Sequence, residues 1–351
     1  MKVDLFAAQP YMEAQDYFSP QAFARKIERY FKACQTNRQP GLPACLVFPE
    51  DLATFLLLLG ESDILKELRS MDQAFVAIGK RRVAALLGTM LRYGTPRIRR
   101  AFFLEGASRV WRIWYSTMTQ FARQYNMTVV AGSALLPAAQ RTYDTADFRP
   151  KNARVYNLSF TAGPNGQILY TTRKVNLVPT QEDELDLTAG TLRESCVMAE
   201  LPGTRVPMAT AICYDGFWRP HTQNEPRFVN VLRQLDRLGA RLVAQPSANP
   251  WRWNEAWPFD SPPQQRRRSQ QWDEEGAPTA LAECNAIEVI INPQLQLEFL
   301  DLHFDGQSRI FGRKGSQVHT LASSQEVTGA NADAVIHAQW DFAIVDGESK
   351  I

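Results

Sequence analysis

The segment RVPMATAICYDGFWRP (residues 205–220) passes from an apolar run into polar residues, glycine and proline. A short apolar run that turn residues end predicts a buried strand of a parallel or mixed sheet. Cys213 falls where this strand ends, and ligand sites collect at the carboxyl ends of strands in open α/β sheets. Cys213 is therefore either a small core residue or a nucleophile that the strand presents.

Similar apolar runs recur along the chain, with helix-like segments between several of them. Runs typical of buried strands include VDLFAAQ (3–9), ACLVFPED (44–51) and MTVVAGSALL (127–136). QAFARKIERYFKAC (21–34) carries its apolar residues at helical spacing. Between two β-rich arms, the Asn165-Gly166 pair predicts a hairpin. This alternation predicts a layered α/β fold with mixed sheets.

The composition is that of a globular protein with a large core. The chain has 351 residues, of which 45% are hydrophobic and 22% charged. Large α/β folds of this size can form one unit. The net charge of +2 is nearly balanced, and no motif of a known RNA- or DNA-binding module is present. We therefore expect no nucleic-acid partner.

Cysteine and histidine usage argues against a disulfide framework and against a metal site. The five cysteines are odd in number and widely spaced, without a C-x-x-C, and the four histidines form no closely spaced pair. The opening MKVDLFAAQPYME lacks a signal-peptide core, and the longest apolar run, FLLLLG, is too short to span a bilayer. A cytoplasmic location is expected.

Three further polar residues occupy positions like that of Cys213. Glu50 follows CLVFP, Lys174 lies in TTRKVNLVP, and Glu182 lies in PTQEDELDL. A cysteine nucleophile needs a base or a positive charge beside it, and these residues could supply both. Taken singly, each has an ordinary alternative: a surface carboxylate, a solvated lysine or a core cysteine.

Together these segments resemble the nitrilase superfamily of carbon–nitrogen hydrolases, in particular its amidase-like members. The blocks LVFPE, YTTRKVNLVP and ATAICYDGFWRP stand in the family order, and the resemblance covers about residues 1–50 and 110–345. It implies an α-β-β-α sandwich of two mixed sheets flanked by helices. It also implies a single carbon–nitrogen hydrolase domain over residues 1–351, with a helical insertion at about residues 52–109.

The resemblance also assigns roles in catalysis. Glu50 is expected to be the general base, and Cys213 the nucleophile that forms a thioester. Lys174 and the backbone N–H of Tyr214 are expected to stabilise the oxyanion, and Glu182 to position the substrate and the lysine. This chemistry needs no metal and no cofactor, and its substrate is a small-molecule amide or a related compound.

Two departures from the family pattern bear on the substrate. CYD after the strand is closer to amidases than to nitrilases, while His221 stands where a carboxylate is commoner. An amide or ureido substrate is therefore favoured over a nitrile. Trp218 and Asn249 are further candidate substrate-binding residues. Trp251, Trp253 and Trp257 either line the pocket or pack in loops.

The insertion is the larger departure, because it is rich in leucine and arginine. From Lys80 to Arg112 its many basic residues face a single acid, Glu105. We interpret it as a helical cover over the site or a subunit contact, with arginines on the wet side. Contact with a membrane surface is a less favoured alternative. Such a cover fits a bulky or acyl-bearing substrate, with or without an anionic group, and turnover of small uncharged amides alone would contradict this. Elsewhere, residues 260–276 are predicted to form an exposed loop, with Arg266–Arg268 solvated.

Two other functions compete with amide hydrolysis. An N-acyltransferase would use the same thioester but pass the acyl group to an amine, and product analysis with added amines separates the two. A catalytically silent binding module is disfavoured because Glu50, Lys174, Glu182 and Cys213 are all present. The family resemblance further implies a homo-oligomer.

Overall fold

The computed structural model describes residues 1–343 except 180, 183, 222–224, 261–264 and 326–328. The strands are β1 (Lys2–Gln9), β2 (Tyr11–Met12), β3 (Ala44–Val47), β4 (Thr128–Ala139), β5 (Pro150–Ala162), β6 (Ile168–Arg173), β7 (Met198–Glu200), β8 (Pro207–Thr210), β9 (Leu242–Ala244), β10 (Val289–Asn292), β11 (Gln296–Phe299), β12 (Leu302–Phe304), β13 (Arg309–Lys314), β14 (Gln317–Ser323) and β15 (Ala334–Asp341). The α-helices are α1 (Pro20–Asn37), α2 (Ser62–Leu65), α3 (Met71–Arg81), α4 (Val83–Tyr93), α5 (Ile98–Gln124), α6 (Leu192–Ser195), α7 (Val231–Arg237), α8 (Arg268–Glu275) and α9 (Ala277–Ala282). Short 3₁₀ helices lie at Ala14–Tyr17, Thr54–Leu58, Cys213–Gly216 and Gly329–Ala332.

Two mixed sheets carry the fold. The first has the order β15-β1-β3-β4-β5-β6 and the second β14-β13-β10-β9-β8-β7, while β12, β11 and β2 form a small third sheet. β1, β3 and β4 run parallel to one another, as do β8, β9 and β10. β15 pairs antiparallel with β1 along the whole length of both strands. The parallel strands of each sheet therefore end at one edge, which is where polar residues follow them.

One hydrophobic core lies between the two sheets. Leu5 and Val47 from the first sheet pack there with Met208 and Ile291 from the second. Side chains alternate along a strand, so each sheet also has a buried outer face. That face of the first sheet packs against α1 and α5, and that of the second against α7 and α9. The predicted α-β-β-α sandwich is confirmed, as is the hairpin, since β5 and β6 flank Asn165-Gly166.

The segment between β3 and β4 is helical, as its sequence predicts. It contains the 3₁₀ helix Thr54–Leu58 followed by α2, α3, α4 and α5. α5 runs unbroken to Gln124, so the predicted boundary near residue 109 falls inside one helix. A Cβ at Gly106 of α5 would lie 2.2 Å from the Leu57 side chain, so glycine permits this close approach. None of the described helices is long and apolar enough to cross a bilayer.

The prediction of an exposed loop at residues 260–276 is wrong for much of that segment. α8 occupies its C-terminal part, and Arg268 is only 3% exposed. Arg266 is half-buried in ion pairs that include Asp260 and Glu275, whereas Arg267 is exposed. A run of arginines does not reveal which of them faces a cluster of tryptophans. Residues 261–264 of the predicted loop lie outside the described residues.

Candidate active site

The four candidate catalytic side chains converge where strands of the two sheets end. Glu50 follows β3, and Lys174 is the first residue after β6. Cys213 follows β8 and opens a 3₁₀ turn, while Glu182 lies on the loop after Lys174. All four residues are buried. The structure therefore brings together residues that are far apart in the chain.

Lys174 links the two carboxylates in a buried ion cluster. Its Nζ donates to Glu50 Oε1 at 2.8 Å and to Glu182 Oε2 at 2.7 Å. The backbone N–H of Val178 also donates to Glu182 Oε2, at 2.8 Å. Buried charges are tolerated when they are paired and hydrogen-bonded, as they are here. An ammonium has three donors, so the two carboxylates leave one N–H of Lys174 for a further acceptor.

Asn157 completes this cluster and escaped the sequence analysis. Its Nδ2 donates to Glu50 Oε1 at 2.8 Å and to Glu182 Oε1 at 3.2 Å. The side chain stands on β5, between the two glutamates, and fixes their separation. Asn157 lies in the segment VYNLSF (residues 155–160). A buried strand position alone gives no sign that an amide bridges two distant carboxylates.

The environment sets the protonation of each group. Burial raises the pKa of Glu50, and Glu182 adds to this, while Lys174 opposes it. Burial by itself lowers the pKa of Lys174, but Glu182 and Glu50 together hold it well above its ordinary value. Burial, followed by the charge of Glu50, raises the pKa of the Cys213 thiol. The free protein thus holds a neutral thiol beside the Glu50 carboxyl group and the Lys174 cation.

The backbone around Cys213 aims its side chain into this cluster. Cys213 has φ +47°, a left-handed conformation that is uncommon for a residue with a side chain. Its N–H donates to the Pro246 carbonyl at 2.8 Å. The charge of Glu50 acts on the thiol, and Cys213 Sγ lies 4.0 Å from the Ala248 carbonyl oxygen. The Ala248 N–H donates to Glu50 Oε2 at 3.1 Å, so one loop contacts both the thiol and the carboxylate.

Comparison with known proteins identifies the family. The family model described as carbon-nitrogen hydrolase matches residues 114–342. The chain belongs to the carbon–nitrogen hydrolase family. No curated protein sequence matches the chain.

Solved structures of one amidase share the fold of this hydrolase. A double mutant of the amidase from Nesterenkonia sp. AN1, in complex with acrylamide, is 14% identical at a TM-score of 0.56, over 97% of this chain and 90% of that one. A mutant of the same amidase with butyramide is 15% identical at a TM-score of 0.55, over 97% and 90%. Another, with the acetamide moiety of fluoroacetamide added covalently at the active-site cysteine, is 15% identical at a TM-score of 0.54, over 97% and 90%.

Asp215 ties the cysteine turn of this carbon–nitrogen hydrolase to the segment after Lys174. Its carboxylate accepts from the backbone N–H groups of Val175 and Asn176, at 2.9 and 2.8 Å, and from Asn176 Nδ2 at 2.9 Å. Burial raises its pKa to about 7, against the effect of these donors. The acid in CYD is visible in the sequence, but its partners are not. It sets the position of the nucleophile relative to the lysine.

The three candidate substrate-binding residues have other partners. The Tyr214 side chain donates to Glu225 at 2.6 Å and stacks on His221. Its backbone N–H has no acceptor in the part of the chain that the structure describes. Trp218 packs on the outer face of the second sheet, with Arg233 over its ring. Asn249 is fully buried, and its Nδ2 donates to the backbone carbonyls of Trp251 and Asp305. These contacts favour structural roles for the Trp218 and Asn249 side chains.

Gly216 lets the cysteine turn pack directly on Gln245. A Cβ at this position would lie 2.2 Å from Gln245 Nε2, the atom that donates to the Cys213 carbonyl at 2.9 Å. We expect Gly216→Ala to displace Gln245 and the turn, lowering kcat/KM about 100-fold, since small displacements of a reacting group cost this much. Gly88→Ala on α4 is the control, because a Cβ there meets nothing within 4 Å. Equal activity of both variants would contradict this role.

Arg268 supports the loop that contacts the thiol. Its Nε donates to Asn249 Oδ1 at 2.8 Å, and its guanidinium lies 3.9 Å from the centre of the Trp257 ring. Trp251 and Trp272 also flank it. The tryptophans of this region therefore pack around a buried cation.

Arg268→Met should leave Asn249 Oδ1 without its donor and destabilise the fold by about 1–3 kcal/mol. We expect kcat to fall as well, since Asn249 follows Ala248 directly. Thermal unfolding and steady-state kinetics measure both effects. Arg267→Met is the matched control, because Arg267 is the neighbour of Arg268 in the chain and its side chain is exposed. A loss of the same size in both variants would show that the position of Arg268 is not special.

Three arginines of the insertion bond the loop after Lys174. Arg97 pairs with Asp186, and Arg100 Nε donates to the Asp186 carbonyl at 2.7 Å. Arg99 bonds the Glu184 carbonyl. The N-terminal end of α5 thus holds the loop that carries Glu182.

Among the described residues, no group of three or more His, Cys, Asp or Glu side chains could hold a metal ion.

Proposed function

We propose that this protein hydrolyses amides through a thioester on Cys213, with Glu50 as general base and Lys174 as the cation that stabilises the oxyanion. The observation that carries the proposal is the buried Glu50–Lys174–Glu182 cluster against the thiol. Burying a charged side chain costs free energy unless it is paired, so a buried cluster of charges is typical of a functional site. Here the paired ions enclose a group that can be a nucleophile.

In the first step, Glu50 takes the thiol proton as Cys213 Sγ bonds to the amide carbon. The negative oxygen of the tetrahedral intermediate accepts the free N–H of Lys174 and the N–H of Tyr214. The proton held by Glu50 passes to the nitrogen, the C–N bond breaks, and ammonia or an amine leaves. Because the thiol starts neutral, proton removal and attack occur together as the substrate binds.

In the second step, a water molecule takes the place of the leaving nitrogen. Glu50 accepts a proton from this water, whose oxygen attacks the thioester carbon, and the oxyanion again faces Lys174. The C–S bond then breaks, which releases a carboxylic acid and restores the thiol. Glu182 holds Lys174 in place through its 2.7 Å contact, and Asn157 fixes the distance between the two glutamates.

Amides are the favoured substrates among compounds with a carbon–nitrogen bond. The solved relatives of this fold include an amidase described with butyramide and with acrylamide. We extend this to the present chain only as part of the proposal. We also propose that the chain forms one catalytic domain and that residues from about 52 to 109 are an insertion into it.

Intact-mass measurement tests the chemistry directly. The protein is mixed with a panel of amides, nitriles and carbamoyl compounds, and each reaction is quenched in acid. The intact mass of the protein is then measured, while ammonia is assayed in parallel. We expect ammonia release together with an adduct equal to the acyl group, mapped by peptide analysis to Cys213. An adduct on another cysteine, or ammonia release that depends on a different residue, would refute the assignment.

A further inference from the structure

A cavity joins the ion cluster to the helical insertion. Its volume is about 410 Å³, and its inner end is lined by Glu50, Lys174, Glu182 and Ala248. The thiol lies at this end, because the Ala248 carbonyl oxygen is 4.0 Å from Cys213 Sγ. A substrate carbon that reaches the thiol therefore sits at the inner end, and the rest of the substrate has the cavity to occupy.

The outer wall of the cavity is apolar and comes largely from the insertion. The 3₁₀ helix contributes Phe55 and Leu58, α3 contributes Ala74, Phe75 and Ile78, and α5 contributes Phe102. These side chains are fixed by packing: Phe75 and Phe102 meet edge to face at 5.3 Å. Asp72 and Arg99, among others, add polar groups to the lining. An apolar, ordered wall of this kind recognises an apolar group and gains little from a polar one.

The polar end determines which part of an amide meets the apolar wall. The leaving nitrogen must receive a proton from Glu50, so it lies against the cluster of Glu50, Lys174 and Glu182. A carbon substituent on that nitrogen would press on buried charges and displace their hydrogen-bond partners, at a cost in free energy. An unsubstituted nitrogen fits there, which leaves the acyl group to extend along the insertion.

We infer that this cavity is an acyl-binding site and that the substrates are primary amides of apolar carboxylic acids, with acyl groups of roughly six to ten carbons. A cavity of about 150 Å³ holds benzene, so the present one accommodates a chain of this size. The inference rests on the proposed function. The atoms balance as before: the primary amide yields ammonia and a Cys213 thioester, and water then yields the fatty or aryl-substituted acid.

A chain-length series on the unmodified protein tests the inference. The probes are acetamide, butanamide, hexanamide, octanamide and decanamide, with N-octylacetamide as the compound that carries its chain on nitrogen. Each added methylene should raise kcat/KM about fourfold up to eight to ten carbons. N-octylacetamide should be no better than acetamide. A flat series, or an equal gain from N-octylacetamide, would overturn the acyl site.

A cavity-filling variant tests the location. Ala74 is 1% exposed and lines the cavity, so Ala74→Phe should lower the ratio of octanamide to butanamide turnover by about tenfold or more. Val76→Phe is the control, since Val76 is on the same helix but 58% exposed, and it should leave the ratio unchanged. If Ala74→Phe folds and the ratio of octanamide to butanamide turnover is unchanged, the acyl chain of the substrate binds elsewhere. The series on the unmodified protein decides the matter even if this variant does not fold.

Failure of the acyl-site inference and failure of the proposed function give different results. Hydrolysis of all amides at similar rates, with an adduct on Cys213, would remove the acyl site and leave the proposed function intact. No hydrolysis and no adduct with any member of the series would remove both.

Discussion

Replacing Cys213 with alanine should lower kcat/KM for amide hydrolysis by roughly 10⁴-fold or more, the scale of loss when a nucleophile is removed from a triad enzyme. The acyl adduct should vanish in the same variant. Stability should change little, because alanine meets the same backbone conformation at φ +47° that cysteine already adopts. Steady-state kinetics, intact mass and thermal unfolding measure these three quantities.

Cys196→Ala is the matched control. Cys196 is the half-buried cysteine, whereas the other three non-catalytic cysteines are buried, and it packs near the second sheet, outside the ion cluster. Its loss should leave both kcat/KM and the adduct unchanged. Residual activity in Cys213→Ala within tenfold of the parent would contradict the assignment of the nucleophile.

Lys174→Met should combine a large loss of activity with a large loss of stability. Removing an oxyanion donor costs about 10²–10³-fold in kcat. Removing one partner of a buried ion cluster leaves Glu50 and Glu182 facing each other without their cation, which costs about 3–5 kcal/mol. Urea unfolding measures the second effect, and single-turnover acylation with octanamide measures the first.

A double variant separates the two effects. Lys174→Met combined with Glu50→Gln removes one of the orphaned charges, so it should recover part of the lost stability. Activity should not return, because the general base is then missing as well. If the double variant is less stable than the single one by the full cost of Glu50→Gln alone, Lys174 and Glu50 are not coupled. The direct contact at 2.8 Å would then have no energetic role.

The fold could be predicted from the sequence because its main signals are local. β3 is an apolar run with both faces buried, and it reads as such in ACLVFPED. Asn165-Gly166 marks the hairpin between β5 and β6, where Gly166 adopts φ +77°. The family is confirmed by the model matching residues 114–342, a match that leaves Glu50 outside it.

The site was only partly predictable, for a physical reason. Glu50, Lys174, Glu182 and Cys213 carry groups whose chemistry is visible in the residue type, and family blocks mark their positions. Asn157 acts through two contacts that depend on how β5 lies beside β3 and the loop after β6. Polar partners of this kind are set by tertiary structure, not by spacing along the chain.

Arg268 shows the same limit for a residue that was predicted to be solvated and is buried. Three consecutive arginines are usually solvated, and the exposed Arg267 fits that expectation. One position further on, the helix turns the side chain inward onto Trp257. Trp251 and Trp257, which also flank the guanidinium, come from a segment before the helix, and their distance to Arg268 cannot be read from the sequence.

The pairing of β1 with β15 bears on how the chain is made. β1 leaves the ribosome before the other strands described here, and its antiparallel partner emerges long after β3, β6 and β8. At usual rates of synthesis the delay is roughly 15 to 65 s. Throughout that time one edge of the first sheet has no neighbour, and in the later part of it every residue of the ion cluster has already been made. A nascent chain stalled in this window would expose an apolar strand, which is the kind of surface that chaperones bind.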